Sequence, residues 1–354
     1  MALYLDASLR RTALPVVAAP RTYIRSWEFD ATLLLAPLGT GLLAALAVTA
    51  DPRLYPILLL ADLWLLGYHH VVATYTRLAF DTQSLRRNRF LAIDLLVLVT
   101  MGTLAVAMTA GAWVIASAFL YLQWFHYMRQ SYGIARMYYR ATPEGRTAGS
   151  SDRATDMVIY LVPLYAIAAR TSTMGSEFLG LPVKVLVLPE IVVTMLGIAA
   201  AGAVVAWVVK TARTAMADTL DLTYTGYVVS HIAVFMVAYV VVDDVNVGWL
   251  AINVWHNFQY VLVVWMSNAK RYADGIDPAA RFLSRISQPG RVTMYFVCCI
   301  SITTIVYLLL NRFTVLVLGG GLAVTVGVYM GINFHHYVVD ALIWKRRKAV
   351  PQGA

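Results

Sequence analysis

The feature that most constrains the fold is a series of long apolar runs separated by short, arginine-rich connections. A helix needs about 20 apolar residues to cross a hydrocarbon core that is about 30 Å thick. We therefore predict an all-α, polytopic membrane bundle of about ten transmembrane helices. The runs lie near residues 31–50, 54–79, 90–110, 112–138, 155–170, 183–209, 222–242, 247–268, 291–311 and 314–343.

The composition agrees with a membrane protein and excludes most soluble enzyme folds. Of the 354 residues, 60% are hydrophobic and only 13% are charged, whereas a soluble domain carries roughly a quarter charged residues. No P-loop, Rossmann glycine pattern or serine-hydrolase elbow is present. The only cysteines, Cys298 and Cys299, are adjacent in an apolar run, so they form no disulfide framework.

The positive charges predict the orientation of the bundle. When the loops are assigned alternately to two sides, 24 of the 28 Lys and Arg residues share the side of the termini, and Arg53, Arg170, Lys184 and Arg312 remain opposite. Loops that stay in the cytoplasm carry an excess of Lys and Arg. We therefore place both termini in the cytoplasm, most simply at a bacterial inner membrane. The net charge of +9 then requires no nucleic-acid partner.

The chain is predicted to form a single membrane domain with short flanking segments. Residues 1–30 contain arginine pairs but no signal-peptide pattern, and we interpret them as a cytoplasmic amphipathic lead-in along the membrane surface. Residues 31–343 form the transmembrane helical domain, and residues 344–354 form a basic cytoplasmic tail. The glycine triplet at 319–321 lies inside the tenth predicted span, where it is a candidate break.

All seven histidines fall inside predicted spans. Ionisable residues in a bilayer are costly and usually face a bundle interior or a cavity. At 1.5 Å rise per residue, five helices bring these imidazoles into a band roughly 10 Å deep in the cytoplasmic half. His231 has only Ser230 as a polar neighbour, so a structural role is expected for it. The other six are predicted metal ligands: His69, His70, His126, His256, His335 and His336.

Polar residues accompany these histidines at helical spacing. Offsets of three and four place side chains on one helix stripe, and the free nitrogen of a metal-bound histidine needs a hydrogen-bond partner. Asp62 and Asp340 are predicted as further ligands or as such partners, and Gln130, Asn257 and Gln259 as residues that orient the ligands. Four residues are candidate substrate contacts: Arg129, Trp124, Trp255 and Tyr260.

Six histidines exceed the ligands of a single metal. Imidazole suits iron, zinc, copper and nickel, and one zinc takes three or four protein ligands. We therefore predict two metal ions, with iron favoured and zinc or copper open. The vicinal pairs His69–His70 and His335–His336 in a many-spanning bundle resemble the membrane histidine-rich non-haem di-iron enzymes, the class of fatty acid desaturases and alkane hydroxylases.

This resemblance implies O2-dependent hydroxylation or desaturation of a lipid or other apolar substrate, with electrons from a separate donor. The H-x-x-x-H and H-x-x-H-H boxes of that class are absent, so it assigns no residue a role. Three alternatives stay open. One is a membrane protein that binds haem b through axial histidines, another is a metal-ion or proton transporter, and the third is acyl transfer through one histidine acting as a general base.

Overall fold

The computed structural model describes residues 22–148 and 152–343. The predicted basic tail, and residues 1–21 of the predicted lead-in, lie outside this range. Within it the chain is all-α except for one hairpin, in which β1 (Glu177–Phe178) pairs antiparallel with β2 (Leu181–Pro182). The expected all-α class is therefore confirmed.

Ten long helices occupy the ten predicted regions of the described chain. They are α1 (Trp27–Ala50), α2 (Pro52–Leu78), α3 (Phe90–Thr109), α4 (Ala112–Ala141), α5 (Arg153–Thr173), α6 (Glu190–Met216), α7 (Leu222–Val241), α8 (Val245–Arg271), α9 (Val292–Leu316) and α10 (Leu322–Ile343). Seven of them, all but α4, α5 and α8, are long and apolar enough to cross a membrane. The protein is therefore a membrane protein.

Two predicted boundaries are wrong. The sixth span was expected from residue 183, but the hairpin and an extended segment precede α6, which begins at Glu190 just after Pro189. The tenth span was expected to contain the glycine triplet, but α9 ends at Leu316 and the glycines form the turn before α10. Gly319 and Gly320 have φ values of +82° and +63°, which glycine adopts without steric cost.

Helix α8 forms the centre of the bundle, which explains its modest hydropathy. Of its 27 residues, 22 are buried. A helix surrounded by protein can present polar side chains to its neighbours. Helix α6 differs, because only Ala200, Ala203 and Trp207 are buried and its exposed face is apolar. Of the helices whose histidines have polar neighbours at helical spacing, α8 is therefore the one most enclosed by protein.

Close helix packing relies on glycine at two contacts that hold the interior helices. On α10, Gly327 and Gly331 form a G-x-x-x-G stripe, a spacing that lets membrane helices approach closely. A Cβ atom at Gly331 would lie 2.7 Å from Thr100 Cα of α3, and one at Gly327 would lie 2.8 Å from Leu104 Cα. Helix α3 therefore fixes the position of α10.

The loops gather into two groups at opposite ends of the bundle. At one end, which we call the arginine end, the Thr223 hydroxyl donates to Thr22 O at 3.0 Å and Arg271 pairs with Asp81 at 3.2 Å. At the other, which we call the hairpin end, Leu179 N donates to Asn246 Oδ1 at 2.8 Å. The four helices that carry the candidate ligands, α2, α4, α8 and α10, all run from the hairpin end to the arginine end.

An ion pair joins α5 and α6 at the arginine end. Lys210 pairs with Asp152, whose carboxylate also caps α5 and accepts from the Tyr224 hydroxyl at 2.9 Å. Burial of Asp152 favours its neutral form, but the hydrogen bond and charge of Lys210 outweigh burial, so the pKa of Asp152 lies below its usual value. Asp152 therefore stays ionised near neutral pH.

Candidate metal centre

In the second helix, a widened turn precedes the two histidines. Residues Leu63–Gly67 form a π-type turn immediately before Tyr68–Leu78 returns to regular α-helix. Such turns in α-helices occur frequently at functional sites. Vicinal residues on a helix point about 100° apart, so His69 and His70 face different neighbours although both are buried.

Four buried side chains from three helices converge. Their ligand atoms, one from each residue, all lie within 4.8 Å of one another. The Nε2 atoms of His70 and His336 are 2.6 Å apart. The carboxylate of Asp340 lies 3.7 Å from His336 Nε2 and 4.0 Å from His126 Nε2. We refer to this set as the metal group, and it consists of His70, His126, His336 and Asp340.

Hydrogen bonds hold the metal group from its arginine-end side. The Thr74 hydroxyl lies 3.0 Å from His336 Nδ1 and 2.7 Å from the Tyr260 hydroxyl. The Tyr260 hydroxyl donates to Asp340 Oδ1, and its ring stacks on His70 with centroids 3.9 Å apart. Partners of this kind fix the orientation of a metal-binding histidine and carboxylate.

The metal group fits a divalent transition-metal ion. Metal–nitrogen bonds of about 2.0–2.1 Å place the ligand atoms of one ion roughly 3–4 Å apart. Of the three separations above, 3.7 and 4.0 Å lie in this range and 2.6 Å lies below it. His126 Nε2 is buried and has no hydrogen-bond partner among the described residues. Two imidazole nitrogens as close as those of His70 and His336 repel unless a proton or a cation lies between them. The donor set can therefore hold a metal ion.

His256 borders the metal group. Its ring centroid lies 4.9 Å from those of His70 and His126, and its Nδ1 has no hydrogen-bond partner among the described residues. The Tyr127 ring is 4.3 Å from it. The backbone carbonyl of His256 accepts a hydrogen bond of 3.0 Å from Gln130. His256 is therefore adjacent to the metal group.

A cavity of about 260 Å³ adjoins the metal group. Its inner wall contains His70, His126, His256 and His336. Apart from these, most of its walls come from residues that precede the histidines along α2, α4, α8 and α10, such as Leu59, Phe119, Trp249 and Met330, together with Leu179 of the hairpin. The cavity therefore extends from the metal group toward the hairpin end.

Asp62 belongs to a hydrogen-bond chain behind the cavity wall. It accepts from Asn253 at 2.5 Å and lies 3.5 Å from Asn257 Nδ2. Asn253 in turn accepts from the Tyr127 hydroxyl and from Gln123 at 3.1 Å. Asp62 is thus placed to orient the amides of α8, and it is not a member of the metal group.

The structure does not bring the remaining histidines into the metal group. His69 Nδ1 contacts Leu65 O at 3.2 Å, and its ring packs edge-on against Phe296 at 5.5 Å. Both ring nitrogens of His335 have partners, Leu91 O at 2.7 Å and the Tyr75 hydroxyl at 3.2 Å. His231 packs on Phe235 with ring centroids 4.7 Å apart and lies outside the metal group.

Three of the four candidate substrate contacts lie away from the cavity. Trp124 donates to Pro163 O at 3.1 Å, Arg129 donates to the Tyr160 hydroxyl, and Trp255 packs beside Phe235. None of these three lines the cavity. Tyr260 touches the metal group. Gln259 is fully buried, and its amide has no hydrogen-bond partner among the described residues.

Sequence reasoning missed two contributors to the site. Leu179 lies in a hairpin turn with φ of +51° and lines the cavity, and the dipeptide Leu179-Gly180 gave no signal that it would reach the histidines. Tyr337 stacks on His126 with ring centroids 4.4 Å apart. Its position directly after His336 was visible in the sequence, but the phase of α10 against α4 was not.

Comparison of the chain with protein-family models, with curated protein sequences and with solved structures finds no match. The interpretation of the centre therefore depends on its own geometry and chemistry.

Proposed function

We propose that the protein is a membrane-embedded non-haem iron enzyme that uses O2 to oxidise an apolar substrate at the metal group. The observation that carries the proposal is the convergence of His70, His126, His336 and Asp340 beside a cavity. Sites that combine histidines with one carboxylate and leave positions open for ligands are typical of non-haem iron oxygenases. The cavity lies where O2 and substrate would have to meet.

The geometry favours one metal ion per chain. The described residues bring together one group of three histidines and one carboxylate, with His256 beside it, and a second ion would need a further set of ligands. The proposed reaction converts R–H, O2, two electrons and two protons into R–OH and H2O. The electrons come from a separate reductase, because the sequence carries no flavin, NAD or iron–sulfur motif.

The orientation follows from the charges. We propose that all ten long helices span the membrane and that the arginine end faces the cytoplasm, since cytoplasmic loops are enriched in Lys and Arg. A cytoplasmic reductase would then approach the end to which Asp340, Tyr260 and Thr74 are turned. We also propose that this membrane is a bacterial inner membrane.

The alternatives receive less support. Haem b needs a flat slot between its axial histidines, but the rings of His70, His126 and His336 pack against one another with centroids 4.4–6.0 Å apart. A transporter needs access from both sides, and the cavity extends toward the hairpin end only. Acyl transfer uses one histidine and gives no reason for the other ligands.

The test is the iron content and visible spectrum of detergent-purified protein. We expect about one iron per chain without a Soret band. His126→Gln and Asp340→Asn should lose most of this iron and remain folded, and His231→Gln, at a buried histidine outside the group, should keep it. Iron retained by all three variants, or a Soret band, would overturn the proposal.

A further inference from the structure

We propose that the substrate is a neutral, membrane-dissolved molecule whose apolar chain end enters the cavity between α2 and α10 in the half of the bundle nearest the hairpin. This inference rests on the proposed function, because it names the substrate class of the same centre. Three observations carry it, namely the position of the cavity rim, the absence of charge on the walls and the cavity volume.

The rim of the cavity lies inside the membrane-crossing part of two helices. Leu59 and Leu63 of α2, and Tyr329, Met330 and Asn333 of α10, line the cavity and are partly exposed. At 1.5 Å per residue, Leu63 lies about 16 Å along α2 and Met330 about 12 Å along α10 from the hairpin end. At that depth an entrance faces hydrocarbon, so the entering molecule is dissolved in the bilayer.

The wall opposite the rim is formed by buried residues. Phe119, Gln123, Trp249 and Asn253 are buried, and Trp249 donates to Gln123 at 2.8 Å across the contact between α8 and α4. On the arginine-end side, Thr74, Tyr260 and Asp340 are bonded to one another beneath the histidines. The partly exposed lining residues are those of α2 and α10 and Leu179 of the hairpin, so we place the entrance between α2 and α10 beside the hairpin.

Outside the metal group, the walls contain no charged side chain that would pair with a charged substrate. Among the described residues, none of those lining the cavity is Asp, Glu, Lys or Arg. An ion that enters a site without a counter-charge loses several kcal/mol of hydration. The amides and phenols of the lining, such as Asn333 and Tyr68, offer hydrogen bonds to a neutral group instead.

The volume limits how much of the substrate can enter. A protein cavity of about 150 Å³ holds one benzene molecule, so the cavity of about 260 Å³ accommodates on the order of ten carbon atoms. A whole lipid does not fit. The reacting end of a chain does, while the rest of the molecule lies outside the rim among the membrane lipids.

The experiment measures protection of a rim cysteine by three probes of equal chain length. Met330→Cys is made in the full chain with Cys298→Ser and Cys299→Ser, and its reaction with N-ethylmaleimide is timed with decanol, decanoate or decyltrimethylammonium. Val338→Cys, exposed on the same helix but outside the cavity, is the matched control for partition of reagents into the micelle. Leu63→Cys on the opposite rim gives a second measurement.

At ten times its dissociation constant, decanol should slow the reaction of the two rim cysteines about tenfold, while the two ions leave it nearly unchanged. The rate at Val338→Cys should change equally little with all three probes. Equal protection by decanoate, equal slowing at the control position, or no protection at either rim position would overturn the inference.

The same measurement is repeated on protein from which the metal has been removed with a chelator, which separates this inference from the proposed function. Protection depends on the cavity walls and not on iron, so decanol should still protect the rim cysteine. If purified protein holds no iron but the rim is protected, the iron enzyme is wrong and the neutral binding site stands. If iron is bound but decanol gives no protection, the substrate class is wrong and the centre stands.

Discussion

At the scale of single residues, the two vicinal histidine pairs divide in the same way. His70 and His336 belong to the metal group, whereas His69 and His335 turn to Leu65 and to Leu91 and Tyr75. The cause is the rotation of about 100° between consecutive helical residues. In sequence the two members of a pair look equivalent, and only the contacts of the helix separate a ligand from a packing residue.

The pair on α10 gives a direct test at this scale. His336→Gln should lose most of the bound iron, because it removes a ligand that Thr74 orients. His335→Gln should keep the iron but lower the free energy of unfolding by about 1–3 kcal/mol, because the buried Leu91 carbonyl loses its partner. Iron analysis and thermal unfolding in detergent measure both effects. Loss of iron from the two variants to the same extent would contradict this division.

At the scale of elements, the site depends on helix contacts remote from the histidines. Helix α10 carries His336 and Asp340, and its Gly327 and Gly331 lie against the backbone of α3. A larger residue at either position would have to separate the two helices. The ligands are therefore positioned by a packing contact on the side of α10 that faces away from the metal group.

Gly331→Val tests this dependence. Its side chain would overlap Thr100 of α3, and overpacking of this kind costs about 1–3 kcal/mol. We expect a lower unfolding temperature and reduced iron content, since the displacement moves both α10 ligands. Gly102→Ala on α3 is the control, because a Cβ atom there meets nothing within 4 Å. If Gly331→Val unfolds at the wild-type temperature with full iron, α3 does not position the centre.

At the scale of the whole molecule, the loops divide by charge as well as by position. The arginine end gathers the connections that contain most of the positive residues, and the hairpin end includes Arg53, Arg170 and Lys184. Arg170 donates to the backbone carbonyls of Tyr239 and Asp243 at 3.0 and 2.8 Å. Arg170 therefore joins α5 to the end of α7 at the hairpin end, while the other end contains most of the cationic side chains.

Cysteine labelling of intact cells tests the proposed orientation. Glu177→Cys in the hairpin and Arg285→Cys at the arginine end are both exposed, and each is made without the native cysteines. A membrane-impermeant maleimide should label Glu177→Cys in intact cells and Arg285→Cys only after the membrane is permeabilised, because the positive loops remain in the cytoplasm. The reverse pattern would invert the topology, and equal labelling would refute the three spans, α6, α7 and α8, that separate the two positions.

The sequence by itself determined that this chain is a helical membrane protein with its histidines in the interior. Length and apolarity of a run depend on local composition, and a histidine at membrane depth is stable only when it faces protein. It also located ten helical regions, because a helix needs no distant partner for its backbone hydrogen bonds. The predicted boundaries at residue 183 and at the glycine triplet are wrong because the apolar composition continues through the segment between two elements.

Only the tertiary structure decided which histidines meet and where the cavity lies. Periodicity gives the stripe that a residue occupies on its own helix, but not the rotation of that helix against the others, which is set by contacts such as Gly331 with Thr100 and Gly41 with Ala251. The metal group joins residues up to 270 positions apart, from His70 to Asp340. Their convergence is a property of the packed bundle, and no local pattern encodes it.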